Sequence, residues 1–269
     1  MGAPAGWRIA LASEVGTSHR KKGAPCQDYA LATLVTTNDG PVLVSVVSDG
    51  AGSAARAAVG SRLVCETFIA AATEYLQRGG RPARVTRQIA VEWVGVVGQT
   101  VAKKARADGR SKADYSSTLL AAIVGVEAAA FLQIGDGAIV VCNPRSNDWG
   151  YLFWPQHGQY ANTTNFVSSK DAAEKLAFEV SRRRIDEVAL FTDGIENLVL
   201  HRASRSVHAP FFDDVFTPVR ESRAKGHDTI LSGALREFLA LPHVSGRTDD
   251  DKTLVLATRA TFPARRAGR

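Results

Sequence analysis

The chain has little cysteine, and what it has is poorly placed for chemistry. Its 269 residues include three cysteines, Cys26, Cys65 and Cys142, far apart and odd in number, so no disulfide framework is implied. None opens a Cys-x5-Arg phosphatase loop, since the sixth residue on is Ala32, Ala71 and Asp148 respectively. None forms a paired zinc-ligand spacing either, and all three are expected to be reduced structural thiols. No apolar run approaches the ~20 residues of a membrane span. The first residues, Met1-Gly2-Ala3-Pro4-Ala5-Gly6, lack the basic region and apolar stretch of a secretory signal, and Gly6 stands where a myristoylation motif wants Ser or Thr. The expected address is the cytoplasm, with no membrane partner.

Aromatic residues make up only 7% of the chain, and no recognition-helix, zinc-finger or aromatic-rich RNA-binding pattern occurs. The net charge of +6 therefore does not imply nucleic acid. Its basic clusters are scattered: Arg20-Lys21-Lys22, Lys103-Lys104-Ala105-Arg106, Arg182-Arg183-Arg184 and the tail 261–269. They read as solvated faces, and a basic rim around an acidic site would suit an anionic substrate such as a phosphorylated protein.

What the chain does have is aspartate at strand ends and turns. Val42-Leu43-Val44-Ser45-Val46-Val47-Ser48-Asp49-Gly50 and Val188-Ala189-Leu190-Phe191-Thr192-Asp193-Gly194 each read as a buried strand stopping at an acid, with Gly releasing the backbone into a turn. Further acids lie in Cys26-Gln27-Asp28, in Ile134-Gly135-Asp136-Gly137 and in Asp249-Asp250-Asp251 before a last strand. One Asp-Gly pair is an ordinary turn. Five such contexts from distant segments, with no matching set of His or Cys, point to a site for hard divalent cations such as Mg²⁺ or Mn²⁺, which prefer oxygen ligands.

The remaining pattern describes one α+β domain over residues 1–260, followed by the basic tail 261–269. Strands are expected at Trp7 to Ala12, Tyr29 to Thr36 and Pro41 to Ser48, with the turn Asn38-Asp39-Gly40 joining the last two. Helices are expected from about Ala54 to Gln77 and from Arg84 to Ala107. The second places Val85, Ile89, Trp93, Val96, Val97 and Val101 near one face. Ser117 to Val126, Ala128 to Ile134 and Ala138 to Cys142 read as an antiparallel meander, because the joins are too short for parallel crossovers. That puts Asp136 at a tight reversal. The segment from Asn143 to Leu176, with Tyr160-Ala161-Asn162, carries a weaker signal and leaves open a substrate-recognising flap. Strands Glu187 to Thr192 and Lys252 to Thr258 flank a helical stretch.

Two literal motif matches fail on context. Gly50-Ala51-Gly52-Ser53-Ala54-Ala55 fits the dinucleotide fingerprint, but no second parallel strand ending in an acid follows it, and Asp49 would oppose a pyrophosphate. Asp249-Asp250-Asp251-Lys252-Thr253 contains D-x-D-x-T, yet only 16 residues follow it, too few for the fold that such a nucleophile loop opens.

Taken in order, Gln27-Asp28, Val47-Ser48-Asp49-Gly50-Ala51-Gly52, Ser116-Ser117-Thr118, Ile134-Gly135-Asp136-Gly137, Phe191-Thr192-Asp193-Gly194 and Asp250-Asp251-Lys252-Thr253 resemble the type 2C metal-dependent serine/threonine protein phosphatases, in the spacing of their compact bacterial branch. The resemblance implies a four-layer α-β-β-α sandwich with two central, mostly antiparallel sheets and a metal site at one end. It further implies that Asp49 lies between two Mn²⁺ or Mg²⁺ ions, with the Gly50 carbonyl on one of them. Asp193 and Asp250 would hold the first ion, Asp28 would support the second, and Asp136 with Asp193 would favour a third. Asp250 is preferred over Asp251 because the family places the ligand three residues before the Thr or Ser. Asp251 takes that role if the alignment slips by one.

The implied activity is hydrolysis of phosphoserine and phosphothreonine in proteins by a metal-bridging hydroxide, opposing a cognate protein kinase. Three positions depart from the family. Gln27 stands where many members have a metal-supporting Glu. Ala51 stands where animal members have a His. His19, in Gly16-Thr17-Ser18-His19, falls at the place of the phosphate-binding Arg, as a phosphate contact, a leaving-group acid or an exposed loop histidine. The alternative reading is a catalytically weak or inactive relative that regulates a partner by binding.

Overall fold

The computed structural model describes residues 6–142, 148–156 and 164–259. Tyr160-Ala161-Asn162 and the tail 261–269 lie outside the described residues. Two sheets carry the molecule. The first is ordered Tyr29–Thr37, Gly40–Ser48, Leu119–Val124, Ala129–Ile134 and Ala177–Ser181, antiparallel throughout. The second is ordered Gly226–His227, Arg8–Glu14, Lys252–Thr258, Glu187–Phe191, Ala138–Cys142 and Trp149–Tyr151, antiparallel except for the short pairing of Arg8 with Gly226.

Strand alternation builds the layers. In Gly40–Ser48, Leu43 and Val47 point into a core shared with Leu120, Phe131, Ile139, Val188, Leu190 and Val255, which seals sheet to sheet. The intervening Val42, Val44 and Val46 face the other way, against Val64, Phe68, Trp93 and Val97 of two long helices, Ala57–Gln77 and Arg87–Ala107. The second sheet repeats the arrangement. Ala189, Phe191, Leu254 and Leu256 meet Phe212, Phe216, Leu235 and Leu239 of helices Ala209–Glu221 and Thr229–Ala240. This is the expected α-β-β-α sandwich.

Two expectations are corrected. Val96 is 44% exposed, because it lies one residue, about 100° of helix rotation, from the buried Val97. The meander also does not continue past Ile134. Leu119–Val124 and Ala129–Ile134 pair in the first sheet, but Ala138–Cys142 pairs with Glu187–Phe191 in the second. Gly135-Asp136-Gly137 is thus a crossing between sheets rather than a tight reversal within one, and it carries Asp136 to the end of the sandwich where both sheets open.

The strand preceding Gly50 has antiparallel neighbours on both sides, which removes the parallel sheet a dinucleotide fold needs. The cysteines fit their structural reading: burial holds the Cys65 thiol well above its ordinary value and pushes Cys142 up to about 12. Among the described residues no helix is long and apolar enough to cross a membrane.

Candidate metal centre

Asp49 is fixed by its neighbour across the sheet. Its backbone N–H donates to Thr118 Oγ1 at 2.8 Å, and its carbonyl accepts from Thr118 N–H at 2.8 Å. Gly50 follows in an isolated bridge to Ser117. Asp193 opens a single 3₁₀ turn, Asp193–Ile195, directly after strand Glu187–Phe191. A side chain at Gly194 would collide with the Asp251 carbonyl, so only glycine lets this turn pack against the start of the last strand.

Asp136 is held through its flanks. Gln133 Nε2 donates to the carbonyls of Gly135 and Gly137 at 3.2 and 3.0 Å, and Gln156 Oε1 accepts from Gly135 N–H at 3.1 Å. Gly135 has φ +124°, a conformation side chains rarely tolerate. The Thr164 hydroxyl donates to Asp136 Oδ2.

One carboxylate oxygen from each of Asp49, Asp136 and Asp193 lies within 4.8 Å of the others, and no second such group of three or more His, Cys, Asp or Glu occurs among the described residues. Asp28 is buried, accepting from Thr192 Oγ1 at 2.7 Å, and lies close enough to raise the pKa of Asp49. Burial is the largest cause of a raised pKa at all three of Asp28, Asp49 and Asp193. The charges of Asp28 and Asp193 add to it at Asp49. Those of Asp136, Asp250 and Asp28 add at Asp193, which reaches about 8, while Asp28 reaches about 7. Asp193 Oδ1 is also buried without a hydrogen-bond donor. Carboxyls this crowded cannot all ionise without a compensating cation, and an all-oxygen donor set suits Mn²⁺ or Mg²⁺. The residues fit the ions.

Asp250 and Asp251 divide the last segment between them. Asp250 is exposed, outside the 4.8 Å group but close enough to raise Asp193. Asp251 is 2% exposed and turned inward. Its Oδ1 accepts from Gly16 N–H at 2.6 Å, its Oδ2 accepts from Gln27 N–H at 2.5 Å, and His19 Nδ1 lies 2.9 Å from Oδ2. His19 is therefore not an exposed loop histidine; only 11% of its side chain is exposed. The Gln27 side chain places Oε1 in a buried position without a hydrogen-bond donor.

The chain matches the Protein phosphatase 2C family over residues 15–240. It belongs to that family. It is 36% identical over 256 residues to Serine/threonine-protein phosphatase 3 of Escherichia coli (strain K12), covering 93% of this chain and 98% of that one. Solved structures agree on the fold. A bacterial serine phosphatase bearing an R161A mutation superimposes with a TM-score of 0.60 at 14% identity, covering 94% of this chain and 98% of that one. The serine/threonine phosphatase Stp1 from Staphylococcus aureus gives 0.57 at 15% identity over 96% and 97%. The catalytic domain of the phosphatase PstP in complex with two manganese ions gives 0.56 at 15% over 94% and 98%.

The sequence reading did not single out Thr192, Gln133, Gln156 or Thr164. Thr192 carries a signal in its place between a buried strand and Asp193. The two glutamines carry none, since an amide in a strand or loop is ordinary until its partners are seen.

Proposed function

We propose that this chain is a Mn²⁺- or Mg²⁺-dependent protein phosphatase acting on phosphoserine and phosphothreonine, with residues 1–260 as one catalytic domain. The observation that carries the reading is the meeting of Asp49, Asp136 and Asp193, from three separate segments, in one group of buried or half-buried carboxylates, with Asp49 and Asp193 held well above the ordinary carboxylate range. In this reading Asp49, the Gly50 carbonyl, Asp193, Asp250 and Asp28 would hold the ions, and Asp136 with Asp193 would favour a third. Asp250 is the ligand rather than Asp251, because both Asp251 oxygens are occupied by backbone amides.

When bound, such ions lower the pKa of a water and neutralise phosphoryl oxygens. The chain's own residues do the rest. Thr118 and Thr192 hold Asp49 and Asp28 in place. His19 contacts the phosphate or protonates the leaving oxygen. The substrate is a phosphoprotein made by an opposing kinase in the cytoplasm, and the basic Arg20-Lys21-Lys22 beside His19 suits its charge.

Release of phosphate from a phosphoserine peptide, with Mn²⁺ and then with excess chelator, tests the reading. Turnover that needs Mn²⁺ and stops with chelator is expected. Absence of turnover under saturating Mn²⁺ would favour the alternative that Gln27 and Ala51 motivate, a partner-binding relative without catalysis.

A further inference from the structure

The three contacts of Asp251 form a device that the metal assignment leaves unexplained. Its carboxylate is buried at the start of strand Lys252–Thr258, outside the Asp49–Asp136–Asp193 group, and is engaged by the segment 16–27. Gly16 N–H and Gln27 N–H bracket that segment. Between them lies the short helix Thr17–Lys21, whose Ser18 N–H is tied to the Asp249 carbonyl at 2.9 Å. His19 points from this helix back to Asp251, Nδ1 to Oδ2 at 2.9 Å. The approach is off the line of the ring N–H, so it is a close polar contact rather than an aligned hydrogen bond. Such contacts are commonly loose before substrate binds.

We propose that Asp251 is a positioning residue that holds the His19 imidazole with Nδ1–H toward its carboxylate and presents Nε2 to the substrate. The proposal rests on the phosphatase reading above. A carboxylate oxygen accepts only, and with Nδ1 2.9 Å from Oδ2 an unprotonated Nδ1 would set lone pair against lone pair, so the one workable role left to Nδ1 is that of donor. A second group that orients a histidine through Nδ1 and thereby commits Nε2 to chemistry is a recurrent arrangement in hydrolases.

Water oxygen bonds to phosphorus while the P–Oγ bond of phosphoserine breaks, and Oγ keeps the electron pair. Oγ takes one proton from Nε2 of the His19 imidazolium, which is left neutral with Nδ1–H toward Asp251, and the proton lost by the attacking water returns to Nε2 through solvent. The products are serine and inorganic phosphate. Gln27 adjoins Asp28, so the Asp251 carboxylate ties the helix that carries His19 to the metal-side segment.

The test separates this role from a structural one by leaving group. A phosphoserine oxygen needs a proton to depart, whereas p-nitrophenolate does not, and general acid catalysis is worth ~10²–10⁴-fold where it is needed. Wild type, Asp251→Asn, His19→Ala and the double variant are assayed on a phosphoserine peptide and on p-nitrophenyl phosphate at saturating Mn²⁺. The expected result is a kcat loss of about 10²-fold or more on the peptide for each single variant, against a few-fold on the nitrophenyl ester. The double variant is expected to lose no more than His19→Ala alone.

Equal losses on both substrates, or multiplying losses in the double variant, would overturn the proposal while leaving the phosphatase reading intact. Inactivity of the wild type on both substrates would instead remove the reading beneath it. Should Asp251→Asn not fold, ¹⁵N spectra of histidine-labelled wild type with Mg²⁺ decide the matter: a proton on His19 Nδ1 is expected, and an unprotonated Nδ1 contradicts the assignment.

Discussion

Thr192 and Asp28, 164 residues apart in sequence, are joined by a 2.7 Å hydrogen bond from Thr192 Oγ1 to Asp28 Oδ2 in a fully buried setting. The same hydroxyl accepts from Thr253 N–H at 3.0 Å. One side chain thus ties the Asp28 segment, the Asp193 turn and the last strand together. Thr192→Val keeps the shape but leaves a buried carboxyl oxygen and a buried N–H without a partner, at a cost of about 2 kcal/mol. Urea denaturation should show that loss, with weaker Mn²⁺ binding by calorimetry, while Thr192→Ser stays close to wild type. A Val variant as stable as wild type would mean that water replaces the hydroxyl.

The crowding of carboxyls predicts a trade between function and stability. Asp49→Ala or Asp193→Ala should remove turnover on the phosphoserine peptide to the detection limit. At pH 7 without metal, each should leave stability unchanged or raise it by on the order of 1 kcal/mol, since a buried group with a raised pKa is relieved. Near wild-type turnover in either variant at saturating Mn²⁺ would remove that residue from the metal set.

The same shifts fix a pH dependence. Asp28 and Asp193 have folded values of about 7 and 8 against an ordinary 3.8, so between these limits the folded chain holds more protons than the unfolded one. Metal-free stability is then fullest below about pH 4 as far as these two groups are concerned, and it is lost as pH rises through 7 to 8. Metal binding displaces those protons, so Mn²⁺ affinity should rise across the same window. Thermal melts from pH 5 to 9, with and without Mg²⁺, check the sign. A metal-free melting temperature that climbs over this range would contradict it.

Gln27 offers a charge test. Its Oε1 is buried without a donor, in the segment that carries Asp28. Gln27→Glu should tighten Mn²⁺ binding, as a neutral oxygen becomes anionic within reach of the ions. Calorimetric titration of both proteins measures it, and equal or weaker affinity in the Glu variant would place Gln27 beyond the ions' field.

Much of this was legible before the structure. Residues 252–258 read as a strand and form one, because the apolar run 254–257 buries Val255 and Ala257 between the sheets and Leu254 and Leu256 under the helices. The aspartates were legible for the same reason, since a charge at the mouth of a buried strand needs a partner. The crossing at Gly135-Asp136-Gly137 was not, because a short join between strands dictates antiparallel pairing only when both strands stay in one sheet. Val96 was misplaced by a single residue in a helix rich in valine. Asp251 stayed hidden inside a run of three aspartates, where only three-dimensional contacts tell an outward ligand from an inward clamp.

The central claim is that the Asp49–Asp136–Asp193 group holds divalent ions. Anomalous diffraction from crystals grown with Mn²⁺ tests it most directly. The account predicts manganese peaks about 2.0–2.3 Å from Asp49 and Asp193 carboxylate oxygens, with Asp250 drawn to the first ion and Asp251 still bound to Gly16, Gln27 and His19. A map without manganese at Asp49, or with Asp251 in place of Asp250 on the ion, would contradict it.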